Sequence, residues 1–485
     1  MPPMRTLLGV FTLLLATIGH GAELASLGSI RPQASSEIAA APWGVQFNPL
    51  APHIPLNVGD WREPELAATT DRLVAATARL GAKWVRFSIN WSTVQDAAGE
   101  FHWDYVDRAV RGLVARRITP FICLNGGHRA FTRAMSVRTE AEFVAWLRFV
   151  DAVTQRYGND VKHWEIWNEP NTVWFWKPAP VAAEYVELVR RTTPVIKRNI
   201  PGARVLGGSV ARLDLPYAEE ALRLGLAAHI DVFTIHPYGE MPEAILRPVR
   251  VPVKTPVQYL EADHPVVALQ ELLRSKSIPV WQAECGYAST ANSLGWTGNG
   301  PWGEIIQAKW LLRRMLTDLA FGSEISCYFT LVDFQEGNPE KMNTKGLLRL
   351  RTLAEKPAYR VFQNCAAVLQ GSLPVEAAAG GKVEAITSEG SFFGAKPRDV
   401  MLLRLRSDRG PVLAYWLPWR AQEKVDAAAT AIAAEGFNDP VLVDLLRGEV
   451  FALPRGGTRW GDLPLADWPL LIAEKAVVAP ALRVK

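Results

Sequence analysis

Two glutamates stand where short apolar runs give way to loops. Glu169 follows the run Val161 to Trp167 in VKHWEIWNEP, where Pro170 ends the ladder because proline has no N–H to donate. Glu284 closes the run in IPVWQAECGY, immediately before Cys285 and Gly286. Such runs read as parallel strands buried on both faces. The loops at the carboxyl ends of parallel strands are where a barrel gathers its chemistry. Two carboxyl groups brought to opposite sides of one glycosidic bond, about 5 Å apart, can cleave it by double displacement. One attacks the anomeric carbon while the other protonates the leaving oxygen and later deprotonates water.

The elements that must bring these acids together are legible as an alternation. Candidate strands are Trp43 to Phe47, Lys83 to Ser88, Ile118 to Leu124, Lys162 to Trp167, Arg204 to Gly208, Asp231 to His236, Pro279 to Glu284 and Ile325 to Thr330. Between them, residues such as Phe143, Trp146, Leu147 and Val150, or Ala308, Leu311, Leu312 and Met315, repeat at helical spacing. Eight strand–helix repeats predict an α/β fold, a closed (β/α)8 TIM barrel, over residues 43–356. An open doubly wound sheet is the rival, and no Gly-rich first turn favours it. In a closed barrel, strands four and seven face each other across the mouth, which sets Glu169 opposite Glu284.

Outside that region, Met1 to Arg5 is followed by the charge-free run Leu7 to Ile18, the pattern of an export signal over residues 1–22, cleaved or kept as an anchor. Residues 23–42 read as a leader free to lend a strand to something later. From residue 357 to 485, Leu403 and Leu405 alternate with arginines and Val441 to Leu453 reads as a hairpin, so the tail is expected to be a small all-β domain. With 53 basic and 49 acidic residues spread evenly, nothing points to nucleic acid or an anionic membrane. The four cysteines lack ligand spacing, and the histidines show no HExxH, so no metal or cofactor is expected. Gly298 to Gly303 fits GxGxxG only as a proline-containing loop with no strand before it.

The stretch Trp167, Asn168, Glu169, Pro170, followed by Phe175 and Trp176, resembles strand four of the retaining glycoside hydrolases of family 39. The resemblance covers roughly Trp43 to Pro357. It implies Glu169 as acid/base and Glu284 as nucleophile, with Asn168 on the sugar 2-hydroxyl. It also implies Arg86 beside the nucleophile, and it matches His236 and Tyr238 in IHPYG to the substrate-binding end of strand six, where an aromatic hydroxyl supports the nucleophile. A fixed cation near Glu284 suits a carboxylate, whereas Trp167 and Pro170 around Glu169 suit a proton-bearing acid. Tyr328-Phe329-Thr330 stands where the family usually has tryptophan on strand eight. Trp174, Trp176, Trp296 and Trp302 could stack on sugars or simply pack their loops. His128 could reach a substrate or sit in the core. The reading is therefore an exported hydrolase of an extracellular or cell-envelope polysaccharide. A β-xylosidase and a glycan-binding barrel without activity are the alternatives.

Overall fold

A computed structural model describes residues 24–48, 64–239, 241–246, 265–293, 300–335, 342–376, 381–387, 390–425 and 428–484. The expected export segment and Trp296 lie outside them. The first strand, β1 (Ser26–Ile30), belongs to the far end of the molecule. The barrel follows with β2 (Trp43–Phe47), β3 (Trp84–Asn90), β4 (Thr119–Asn125), β5 (His163–Ile166), β6 (Arg204–Ala211), β7 (Val232–His236), β8 (Val280–Cys285) and β9 (Ser326–Tyr328). Each pairs in parallel with the next, and β9 closes on β2, with Gly44 opposite Cys327; β10 (Phe334–Gln335) and β11 (Met342–Asn343) then form a short antiparallel pair.

Around the barrel run α1 (Pro64–Leu80), the single turn α2 (Trp91–Val94), α3 (Asp104–Val114), α4 (Glu140–Tyr157), α5 (Ala182–Asn199), α6 (Leu215–Arg223), α7 (Pro265–Arg274) and α8 (Glu304–Ala320). α4 shows why such segments are helical. Thr139 and Glu142 form a reciprocal capping box at its start, and Phe143, Trp146 and Val150 are buried on one face. Phe121, Leu206, Val232, Trp281 and Cys327 form a separate apolar cluster inside the barrel near the strand starts. That end is therefore plugged, and the open end is the carboxyl one.

The expected change to an all-β tail at residue 357 is displaced by a helix, α9 (Pro357–Val368). It packs on α1, where Tyr359 donates to the Ala76 carbonyl and Gln363 to that of Arg79. Its apolar, helix-forming YRVFQNCAAV segment thus completes the outer layer of the barrel. Beyond it, β13 (Met401–Ser407), β14 (Gly410–Trp416), β16 (Pro440–Asp444), β17 (Glu449–Ala452), β19 (Leu470–Glu474) and β20 (Leu482–Val484) build an antiparallel sheet. β1 from the leader fills the place between β17 and β20, so the leader lends the strand its pattern allowed. A second sheet joins β12 (Lys382–Thr387), β15 (Ala428–Ala433) and β18 (Arg459–Leu465).

The β-domain is bolted to the barrel through α8. Arg313 grips Glu243 with bonds of 2.7 Å from Nε and 2.7 Å from Nη2, and Trp416 of β14 donates to the same carboxylate at 2.7 Å. Lys309 pairs with Asp467 at 2.8 Å.

Candidate active site

At the open end of the barrel, the chain after β5 leaves the sheet through strained backbone. Trp167 has φ 72° and Glu169 φ 45°, both left-handed, a conformation that side chains with a Cβ adopt only when the surroundings impose it. The surroundings do so. The Trp167 N–H bonds to the Leu124 carbonyl, and the Glu169 N–H to the Ser209 carbonyl, so both neighbouring strands hold this turn. The Glu169 carboxylate is thereby brought to the end of β7, where its Oε1 lies 3.1 Å from His236 Nδ1.

Glu284, one residue before the end of β8, stands at the same barrel mouth and is 7% exposed. Its Oε2 accepts from Arg86 Nη1 at 2.5 Å and its Oε1 from the Tyr238 hydroxyl at 2.8 Å. An oxygen of Glu169 and an oxygen of Glu284 lie within 4.8 Å of each other, with a His236 ring nitrogen inside the same limit. Gly286 allows the turn that follows, since a Cβ there would lie 1.7 Å from the Phe329 carbonyl oxygen.

Arg86 is completely buried. Its Nε donates to Glu165 Oε2 at 2.7 Å, Nη2 to Asn168 Oδ1 at 2.7 Å, and Nη1 to Gln46 as well as Glu284. Burial opposes its charge, but the carboxylates of Glu165 and Glu284 overcome this and hold the guanidinium well above its ordinary pKa. For Glu165, burial pushes the carboxyl up, while Arg86, His236 and the Thr234 hydroxyl more than reverse it, so the group is held below the usual range. Burial and then the negative charge of Glu284 push the Tyr238 phenol well up, keeping it a donor.

The expected site residues divide clearly. Arg86, Asn168, Glu169, His236, Tyr238 and Glu284 come together in one cluster at the barrel mouth. His236 meets Glu169, with Nδ1 3.1 Å from Oε1, while the Tyr238 hydroxyl donates to Glu284 as the strand-six match implies. The acceptance of Arg86 by Asn168 Oδ1 turns its amide nitrogen the other way.

Trp174 is 76% exposed on the rim, and Trp302 is partly exposed after β8. Trp176 is not a sugar platform: it is fully buried, donates to Glu184, and packs edge-on against Trp167 and Tyr185. His128 is likewise corrected. Its Nδ1 accepts from the Ala130 N–H and its Nε2 bonds the Gln95 carbonyl, while its ring lies against Phe131, so no face is left for a ligand. Both residues were placed at the site by aromatic or titratable character in a loop, which does not distinguish packing from presentation.

Four participants escaped the sequence reading. Glu165 could have been noticed as an acid inside a buried apolar strand. Gln46 and Ser209 carry no comparable signal. Lys345 is buried, with Nζ 5.8 Å from the centre of the Tyr238 ring and 6.0 Å from that of Phe329. Phe329 itself lies edge-on to Tyr238 at the strand-eight position. Glu169, His236 and Glu284 are close enough together to share a cation, but the Arg86 charge bonded to Glu284 opposes one there.

The chain shares its fold with family 39 glycoside hydrolases. It superposes on a family 39 glycoside hydrolase from Bacteroides cellulosilyticus WH2 with TM-score 0.65 and 19% identity, covering 91% of this chain and 82% of that one. A monomeric β-xylosidase from Caulobacter crescentus CB15 gives TM-score 0.55 at 16% identity, covering 93% and 97%. In sequence, 125 residues are 31% identical to a β-xylosidase from Geobacillus stearothermophilus, or 23% of this chain and 25% of that protein. The match thus spans a quarter of that curated relative's length. No family model matches the chain. The resemblance read from strand four is upheld at the level of fold.

Proposed function

We propose that the protein is a retaining glycoside hydrolase in which Glu284 is the nucleophile and Glu169 the acid/base. The observation that carries this reading is the approach of the two carboxylates to within 4.8 Å at the barrel mouth. Retention requires a separation of about 5 Å, because inversion needs room for a water between acid and base, about 6.5–9.5 Å. Arg86 and Tyr238 each donate to one Glu284 oxygen and hold the carboxylate in place, with a lone pair left to attack. Glu169 protonates the leaving oxygen, then deprotonates the water that frees the sugar. Asn168, with its amide nitrogen turned from Arg86, donates to the sugar 2-hydroxyl. Trp174, Trp302 and Phe329 supply apolar faces at the rim.

As substrate we propose an extracellular or cell-envelope polysaccharide, reached by export directed by the run Leu7 to Ile18. The likeness to two β-xylosidases favours a second reading, exo-acting removal of xylose. Among the described residues, no helix is long and apolar enough to cross a membrane.

The test is incubation with a panel of bacterial exopolysaccharides, xylan and xylo-oligosaccharides, following new reducing ends and the anomeric configuration of the first product by proton NMR. Retained configuration supports the mechanism, and an inverted product overturns it. An oligomer ladder favours the polysaccharide reading, release of xylose the second. Tight binding without any release would make the protein a glycan-binding barrel instead.

A further inference from the structure

Beneath the barrel mouth, a continuous hydrogen-bonded path joins the two proposed catalytic acids. Glu169 Oε1 lies 3.1 Å from His236 Nδ1, His236 Nε2 3.4 Å from Ser209 Oγ, and Ser209 Oγ 3.3 Å from Glu165 Oε1. Arg86 then bridges Glu165 to Glu284. Ser209, Glu165 and His236 are all completely buried. Ser209 reaches this position through an irregularity in β6. The register to β7 shifts between Gly207 and Val210, Gly208 has φ 90° where a Cβ would strike the Phe233 ring, and Ser209 itself has φ 48°. A bulge of this kind re-aims a side chain.

The direction of each bond follows from what each group can give. Ionised Glu165 only accepts. Ser209 has one hydroxyl proton and donates it to Glu165, so its oxygen is left to accept. His236 Nε2 must then carry the ring proton. In a neutral imidazole this leaves a lone pair on Nδ1, and Glu169 satisfies that contact only as an O–H donor.

We propose that Glu165 and Ser209 are positioning residues that fix His236 as the Nε2–H tautomer and so keep Glu169 loaded with the proton it delivers to the leaving group. The idea rests on the assignment of Glu169 as acid/base. The same lone pair serves both halves of the reaction. Once Glu169 has released its proton it faces Nδ1 without a hydrogen bond, and taking a proton from water restores one. The charged and titratable groups around His236 are Glu169 beyond β5, Glu165 on β5, Glu284 on β8, Arg86 on β3 and Tyr238 just after β7.

Ser209→Ala tests this, since it removes the hydroxyl, keeps the same backbone demand and leaves every bond of Glu284 in place. With ¹⁵N-histidine labelling, the His236 signals can be picked from the eight histidines by their loss in His236→Gln and their tautomer read directly. The expected result is Nε2–H in the wild type, moving towards Nδ1–H in Ser209→Ala. In parallel, the alkaline limb of kcat/KM on xylobiose, or on the oligosaccharide that the panel identifies, should move down by about one pH unit. On the matching 4-nitrophenyl glycoside, whose leaving group departs without a proton, the shift should vanish.

Nδ1–H in the wild type, or a tautomer unmoved by Ser209→Ala, overturns the proposal, as does an alkaline limb that stays put while the tautomer changes. If Ser209→Ala does not fold, the wild-type tautomer decides alone. The spectrum needs no turnover, so a protein that cleaves nothing in the panel would defeat the hydrolase reading without deciding this one.

Discussion

Arg86 and Arg313 are both sealed inside this protein, and they differ in the number of anions that share them. Arg313 faces one carboxylate, Glu243, and both side chains are completely buried. Its neighbours on α8 follow the same rule, Arg314 with Asp318 and Lys309 with Asp467. Arg86 is divided between Glu165 and Glu284. Of these two, Glu165 is fully buried while Glu284 keeps 7% of its surface exposed. A cation matched by one anion is satisfied in charge and geometry, and two of these pairs, Arg313 with Glu243 and Lys309 with Asp467, join the β-domain to the barrel. A cation with two anions leaves the outer one held in place yet turned towards whatever enters.

The widest test of that contrast removes the outer anion on one side and the sole anion on the other. Glu284→Ala should cut turnover by about 10⁴-fold or more. Its melting temperature should hold, because Arg86 retains Glu165. Glu243→Ala should instead cost about 3–5 kcal/mol of stability, measured by denaturant unfolding, because Arg313 is stranded without a partner. Arg313→Met combined with Glu243→Leu should recover most of that loss. Equal destabilisation by Glu284→Ala and Glu243→Ala would erase the distinction.

Acid sharpens the same comparison. Burial raises the Glu243 carboxyl, but the Arg313 charge and the Arg313 and Trp416 donors outweigh it, leaving the folded-state pKa below the ordinary value. The sign follows: a depressed carboxyl contributes stability above its unfolded pKa of about 4.3, and that contribution is lost as pH falls through the folded value. Melting temperature should therefore fall on acidification below about pH 4, and Glu243→Gln should flatten that decline. A decline of unchanged steepness in the variant would show that the junction does not govern it.

What the sequence disclosed and what it hid follow from range. The eight barrel strands were legible because parallel strands buried on both faces are short apolar runs cut off by glycine, proline or polar residues. β2 matches its expected span, and the others agree to within a few residues. Glu169 and Glu284 were visible as acids at the ends of such runs. Glu165 was hidden by its own strand, since only the fold reveals that its neighbour across the interior is Arg86. Ser209 depends on a bulge, a departure from the period on which the reading relies. β1 was ambiguous because its partners lie more than 400 residues away, and α9 was missed because an abrupt change of domain was expected where the barrel still needed its last helix.

The two loop tryptophans test how far residue type predicts role. Trp176 lies among Trp167, Tyr185 and Glu184 with no exposure, so Trp176→Ala should remove about 3–5 kcal/mol of stability, read as a lowered unfolding midpoint. Trp174, two residues earlier, is 76% exposed and takes no part in that packing. Trp174→Ala should leave the unfolding midpoint in place. If it stacks on a sugar beyond the cleaved bond, about 1 kcal/mol of contact is lost and KM for long oligosaccharides rises about fivefold, with that for a small aryl glycoside unchanged. The same KM for both substrates would remove Trp174 from the site, and the surface it exposes would then need another partner.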